Sequence, residues 1–256
     1  MDFKGKTAVV TGANKGIGRA IALYFYNKNA NVVFAVRDPK SLNLPDEITT
    51  SERSLIVEVD VTNEGHIQNM VTASTKKFGS IDILINNAGV DQPCPLLEIT
   101  EKHLDYVWDV NVKGLVLCSK YVAGQMVQQK YGKIINLSSI AGKEGSLYHT
   151  AYVSSKHAVI GVTKCMAREL ITHGITVNAV CPGLINTDML QNFFKEYAQL
   201  TGKTPEEELS HVISQTPRGE MGTPEDVAEL VGFLCSDKAA NIVGHAINTD
   251  GGILQH

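Results

Sequence analysis

Thr7-Ala8-Val9-Val10-Thr11-Gly12-Ala13-Asn14-Lys15-Gly16-Ile17-Gly18 opens the regular part of the chain. Small and β-branched residues read as a strand through Val10, and Gly12, Gly16 and Gly18 follow in quick succession. A strand-to-helix turn this tight needs residues without Cβ. So does a phosphate that must approach backbone N–H groups at the positive end of a helix. Beyond the turn, Ile17, Ala20, Ile21, Tyr24 and Phe25 recur at helical spacing and form one apolar stripe. Strand, glycine turn and amphipathic helix make the first half of a βαβ unit.

The same alternation continues to the end of the chain. Strands are predicted at Thr7–Val10, Asn31–Val36, Leu55–Val59, Ile81–Ile85, Lys133–Leu137, Ile175–Val180 and His245–Asn248. Helical patterns lie between them at Glu64–Phe78, Glu101–Gln129, Ala151–His173 and Pro224–Ser236, the last capped by Thr223 with Asp226 three residues on. Alternation of this kind implies an α/β fold: a single-domain Rossmann architecture, a doubly wound parallel sheet of about seven strands with helices on both faces. No linker, repeat or low-complexity tract divides it, so residues 1–256 read as one dinucleotide-binding and catalytic domain. Residues 188–215 interrupt the alternation with polar residues and two short helical patterns, as a substrate lid would.

Composition narrows the function. A net charge of -4 without basic runs argues against nucleic acid, and no long apolar stretch suggests a membrane span. The five cysteines form no C-x-x-C pair and read as small buried residues, while the eight histidines show no metal-ligand spacing. No signal-like run precedes the first strand, which suggests a cytoplasmic protein.

Two groups of residues then suggest chemistry. The second strand ends Val36-Arg37, where crevices that bind NAD carry a carboxylate for the ribose 2′-hydroxyl. The planar fork of Arg37 suits a 2′-phosphate instead, with Lys15 as a second cation, so NADP(H) is the expected cofactor. Tyr152 and Lys156 lie four apart on one helical face, after Ser138 and Ser139 at a strand end, with Asn111 upstream. Reduction of a ketone needs a proton for oxygen as hydride reaches carbon. A phenol can supply it, and an adjacent ammonium is expected to lower its pKa from about 10. The serine hydroxyl would hold the substrate oxygen and Asn111 would support a water chain.

Taken together, these residues resemble the short-chain dehydrogenase/reductase family over nearly the whole chain. Its glycine motif falls on Thr11–Gly18, which implies cofactor contacts from Gly12, Asn14, Lys15, Gly16, Ile17 and Gly18. Its adenine-reading acid falls on Asp60, beside Val61, and its N-N-A-G on Asn86 to Gly89, with Asn87, Ala88 and Gly89 toward the cofactor. The resemblance implies Asn111, Ser139, Tyr152 and Lys156 as catalytic residues, the family's serine-to-tyrosine spacing selecting Ser139 over Ser138. It implies Pro182, Gly183, Ile185 and Thr187 near the nicotinamide. It also implies a homotetramer built through two long helices, with a small-molecule carbonyl or alcohol as the partner.

Two rival readings remain. The first is a 3-oxoacyl-carrier-protein reductase, for which Lys130 stands where a carrier would dock but His173 replaces a second basic residue. The second is an NADP(H)-sensing protein without turnover. The substrate itself is not legible, because specificity lives in side chains lining the site.

Overall fold

The structure, a computed structural model, describes residues 1–255. Seven parallel strands form one sheet in the order β3-β2-β1-β4-β5-β6-β7. They span Thr7–Thr11 (β1), Asn31–Val36 (β2), Ser54–Glu58 (β3), Ile83–Asn86 (β4), Gly132–Leu137 (β5), Ile175–Pro182 (β6) and Ala246–Thr249 (β7). The fold class therefore matches the sequence reading. Strand order reverses between β1 and β4, and at such a point the flanking loops part to leave a crevice at the strands' carboxyl ends.

Alternate residues of each buried strand serve opposite faces. Ala8 and Val10 of β1 join Val32, Phe34 and Val36 of β2 on the side covered by α1 (Gly16–Asn27) and α9 (Pro224–Cys235). Val9, Val33 and Ala35 face the other way. There they meet α3 (Glu64–Phe78), α5 (Leu115–Gln129) and α6 (Thr150–Leu170). Helices α1 and α9 pack closely, since a Cβ at Gly232 would collide with the ring of Tyr24. A short helix, α2 (Asp46–Thr49), precedes β3.

The predicted helix over 101–129 is not continuous. It consists of α4 (Glu101–Trp108), a π-helical segment Asp109–Gly114, and α5. The apolar pattern runs through the break, so periodicity alone does not reveal it. Strand β4 starts later than predicted because Asp82 turns its carboxylate to the Thr7 N–H at 2.9 Å. Residues 188–215 form α7 (Asp188–Thr201) and α8 (Pro205–Ser214), with Gly202 between them in the left-handed conformation. Of the cysteines, Cys118, Cys181 and Cys235 are buried, but Cys165 is exposed and Cys94 only partly covered. Among the described residues no helix is long and apolar enough to cross a membrane, and no His/Cys/Asp/Glu group is arranged to hold a metal ion.

Candidate active site

Strand β1 delivers the chain into the glycine turn with Gly12 at φ +66° and Gly16 at φ +53°, values that disfavour any side chain. Gly18 has a different reason: a Cβ there would collide with the Gly12 carbonyl and the Asn87 amide. The turn is locked to β4 through Thr11. Its hydroxyl donates to the Ile85 carbonyl (3.3 Å) and accepts from the N–H groups of Asn87 (3.0 Å) and Ala88 (3.1 Å). The Asn87 amide closes the link by donating to the carbonyls of Thr11 (2.9 Å) and Gly12 (3.2 Å). No side chain caps the start of α1, so its first N–H groups stay open to an anion.

These residues border a cavity of about 180 Å³. Gly12, Asn14, Lys15, Gly16, Ile17 and Gly18 form one wall, Asn87, Ala88 and Gly89 a second, and Tyr152, Lys156, Pro182 and Thr187 a third. A glycine cradle that a Cβ would fill, facing an uncapped helix start, fits the pyrophosphate of a dinucleotide. Lys15 is 3.7 Å from Asp188 at the head of α7, and both side chains are exposed. Arg37 and Asp60 lie beyond this cavity at the ends of β2 and β3. Burial works to raise Asp60, but hydrogen bonds from Thr62 and the nearby Arg37 guanidinium outweigh it and hold the carboxyl below its usual range. Asp38 does not neutralise Arg37; it caps the 39–41 turn by accepting from the Lys40 N–H at 2.9 Å. Val61 is a core residue packed against Gly114, so at that position only backbone can meet a ligand.

A larger cavity of about 480 Å³ adjoins the first, and Tyr152 stands in the wall of both. Ser139, Gly183 and Ile185 line the larger one, with Phe193, Phe194 and Tyr197 of α7 across from them. Among its described lining residues there is no lysine or arginine, while Asp91, Glu144 and Glu208 supply carboxylates. The neighbouring serines do divide: Ser139 hydrogen-bonds Tyr152, whereas the Ser138 hydroxyl donates to the Lys156 carbonyl at 2.9 Å.

The electrostatics correct one expectation. Burial, with help from the Asp91 carboxylate, pushes the Tyr152 phenol above its ordinary range, and the Ser139 hydrogen bond opposes this only in part. The net direction is upward, so the acidification expected from Lys156 does not prevail. Burial lowers the Lys156 ammonium to about 8, and that group donates to the Leu137 carbonyl at 2.9 Å while lying 5.5 Å from the Tyr152 ring centroid.

The position of Asn111 also differs from a free water anchor. Its side-chain amide donates to the Val90 carbonyl (2.9 Å) and the Ser155 hydroxyl (3.0 Å), and its oxygen accepts from the Val90 N–H (2.8 Å). The side chain is a buried clamp between the loop after β4 and α6. Tyr197, Glu208 and His211 of the larger cavity fall within the segment read as the substrate lid, whereas sequence reasoning missed Asp91. For Asp91 the available signal was an acid directly following Asn-Asn-Ala-Gly-Val. Leu147, in the loop beside this cavity, is exposed and lies outside its lining.

A model described as enoyl-(acyl carrier protein) reductase matches residues 12–254. The chain is 38% identical to the 3-oxoacyl-(acyl-carrier-protein) reductase FabG of Staphylococcus epidermidis, covering 97% of this chain and 98% of that one. It is 37% identical to the enzyme of the same name from Thermotoga maritima, covering 99% of this chain and all of that one. The crystal structure of levodione reductase superimposes with a TM-score of 0.91 at 30% identity over 98% of both chains. These relatives span the glycine turn, the Tyr152–Lys156 pair and the α7–α8 segment alike, and the chain belongs to the short-chain dehydrogenase/reductase family of nicotinamide-dependent oxidoreductases.

Proposed function

We propose that the protein is an NADP(H)-dependent carbonyl reductase acting on a small neutral ketone, with Tyr152 as general acid. One observation carries this reading: Tyr152 alone among the proposed catalytic side chains faces both cavities, with the Ser139 hydroxyl on the substrate side and Lys156 on the glycine-lined side. The nicotinamide, when bound, supplies or accepts the hydride. The chain's own residues manage the proton. A phenol held above its usual range is protonated at neutral pH, so it is present as the acid that a carbonyl oxygen needs when hydride arrives. Ser139 steadies that oxygen. Lys156, still largely charged at pH 7, would turn its ammonium toward the nicotinamide ribose, and Asn111 holds the surrounding loop.

Arg37, which Asp38 leaves unpaired by accepting from the Lys40 N–H, supports NADP(H) over NAD(H) together with Lys15. The contacts proposed for Asp60, the Val61 backbone, Gly183, Ile185 and Thr187 follow from the same placement. Carboxylates without lysine or arginine in the larger cavity argue for an uncharged substrate over a keto acid. We further infer a cytoplasmic homotetramer assembled through α4, α5 and α6. The exposed Leu104, Tyr106 and Trp108 on α4 support it, and sedimentation velocity tests it.

The names of the relatives favour a second reading, reduction of a carrier-bound 3-oxoacyl thioester. Against it, His173 replaces the second basic residue of the carrier-docking pair, and the α7–α8 segment is long for that job. NADPH oxidation with acetoacetyl thioesters and with plain ketones separates the two. Tyr152→Phe is expected to lower turnover by about 10²–10⁴-fold while NADPH still binds; near-normal turnover in that variant would overturn the assignment. A sensor without turnover would bind NADPH and oxidise it with none of these substrates.

A further inference from the structure

We propose that Glu208 receives a hydroxyl at the end of the substrate remote from the reacting carbonyl, so that the molecule turned over is a neutral ketone carrying a hydroxylated ring. The inference rests on the reading of Tyr152 given above and adds the substrate class.

The glutamates at the head of α8 are used differently. Glu206 and Glu207 are exposed in the first turn, where Glu207 completes a capping box with Thr204. Glu208 turns inward. Its side chain is only 5% exposed, and it shares one helical face with His211 and Val212, all of them lining the larger cavity. Burying a carboxylate is costly unless its oxygens are engaged. Oε1 is enclosed and meets the Lys203 ammonium at 3.4 Å, without the alignment of a hydrogen bond. Oε2 accepts no hydrogen bond either, and it is not enclosed. The open space that Glu208 borders is the cavity.

The rest of the cavity indicates what the hydroxyl is attached to. An aromatic wall runs from the acid to the far end. Ring centroids step 5.7 Å from Tyr152 to His149, 4.5 Å from His149 to Phe193 and 5.2 Å from Phe193 to Tyr197. Glu208 belongs to the Tyr197 end: burial and then its carboxylate raise the Tyr197 phenol, whereas the carboxylate acting on Tyr152 is that of Asp91. A ring laid along this wall, with its carbonyl at Tyr152 and Ser139, turns its opposite edge to Glu208. With Lys203 balancing the charge, a neutral donor suits Oε2 better than a second cation, and an anion is repelled. A site built to hydrogen-bond a hydroxyl discriminates against the analogue lacking it.

The test uses protein loaded with oxidised cofactor, which has no hydride to give, and calorimetry at neutral pH. Two matched pairs differ in reach: para-hydroxyacetophenone with para-methylacetophenone, and para-hydroxybenzylacetone with para-methylbenzylacetone. Hydroxyl and methyl are alike in size, and apolar burial alone favours the methyl. In at least one pair the hydroxyl-bearing ketone is expected to bind about tenfold tighter or more, as a hydrogen bond to a charged group allows. Glu208→Leu should bring that ratio close to one or invert it. Lys203→Met breaks the ion pair from outside the cavity and should keep the preference; a preference lost there too overturns the direct contact and leaves Glu208 as a brace between α7 and α8. Tyr152→Phe should stop NADPH oxidation with the same ketones and keep the preference in binding. Equal affinity within both pairs, or no binding of the hydroxyl-bearing ketones, overturns the proposal even where Tyr152→Phe abolishes turnover. A preference that Glu208→Leu removes upholds it even where Tyr152→Phe keeps its turnover, an outcome that sinks only the acid assignment.

Discussion

Burial lowers Lys156 to about 8 although the Asp91 carboxylate and Cys181 pull the other way, so the folded protein binds this proton less tightly than the unfolded chain does. Between pH 8 and the ordinary lysine range of about 10.4 the unfolded state carries more protons, and folding stability gains as pH rises. Below pH 8 both states are charged and the burial penalty is felt in full. Lys156→Met removes this dependence. The melting temperature of the unmodified protein, relative to that variant, should therefore rise between pH 8 and 10 in thermal unfolding series. A difference that stays flat would mean the ammonium is not desolvated. The pair Tyr152 and Lys156 was legible from spacing because four residues bring two side chains to one helical face. Asp91 was not, because its partner His149 belongs to a distant loop and only the fold brings them together.

The π-helical turn at Asp109–Gly114 shifts the register of the long helix so that Asn111 points at Val90 and Ser155. Such bulges recur at functional sites, where the altered register aims a side chain that a regular helix would direct elsewhere. Asn111→Ala removes three hydrogen bonds from a buried position and leaves both Val90 backbone groups unpaired. A loss of about 2–4 kcal/mol is expected in denaturant unfolding. Amides of residues 89–95 should exchange faster with solvent, and unchanged exchange there would show that the clamp does not hold that loop. The strands were readable because β-branched runs buried on both faces leave a continuous apolar signature. The break after Trp108 was not, because Val107, Leu115 and Cys118 keep the apolar pattern going across it.

Cofactor binding stabilises the entire domain by mass action, since the glycine turn, the loop after β4 and the start of α7 meet only in the folded state. At a hundredfold excess over Kd the gain is about 2.7 kcal/mol, which for a chain of this size raises Tm by about 5–10 °C. NADPH should give a larger shift than NADH at equal concentration, and Arg37→Asp should reverse the order. Equal shifts with both cofactors would remove the basis for the NADP(H) preference.

The close packing of α1 against α9 has a bearing on how the protein is made. Ile21 and Phe25 leave the ribosome long before Val227, Val231 and Leu234, which share their core. Until α9 emerges the nascent polypeptide thus carries an oily flank with no native cover, the condition under which growing chains need chaperones or stick to one another.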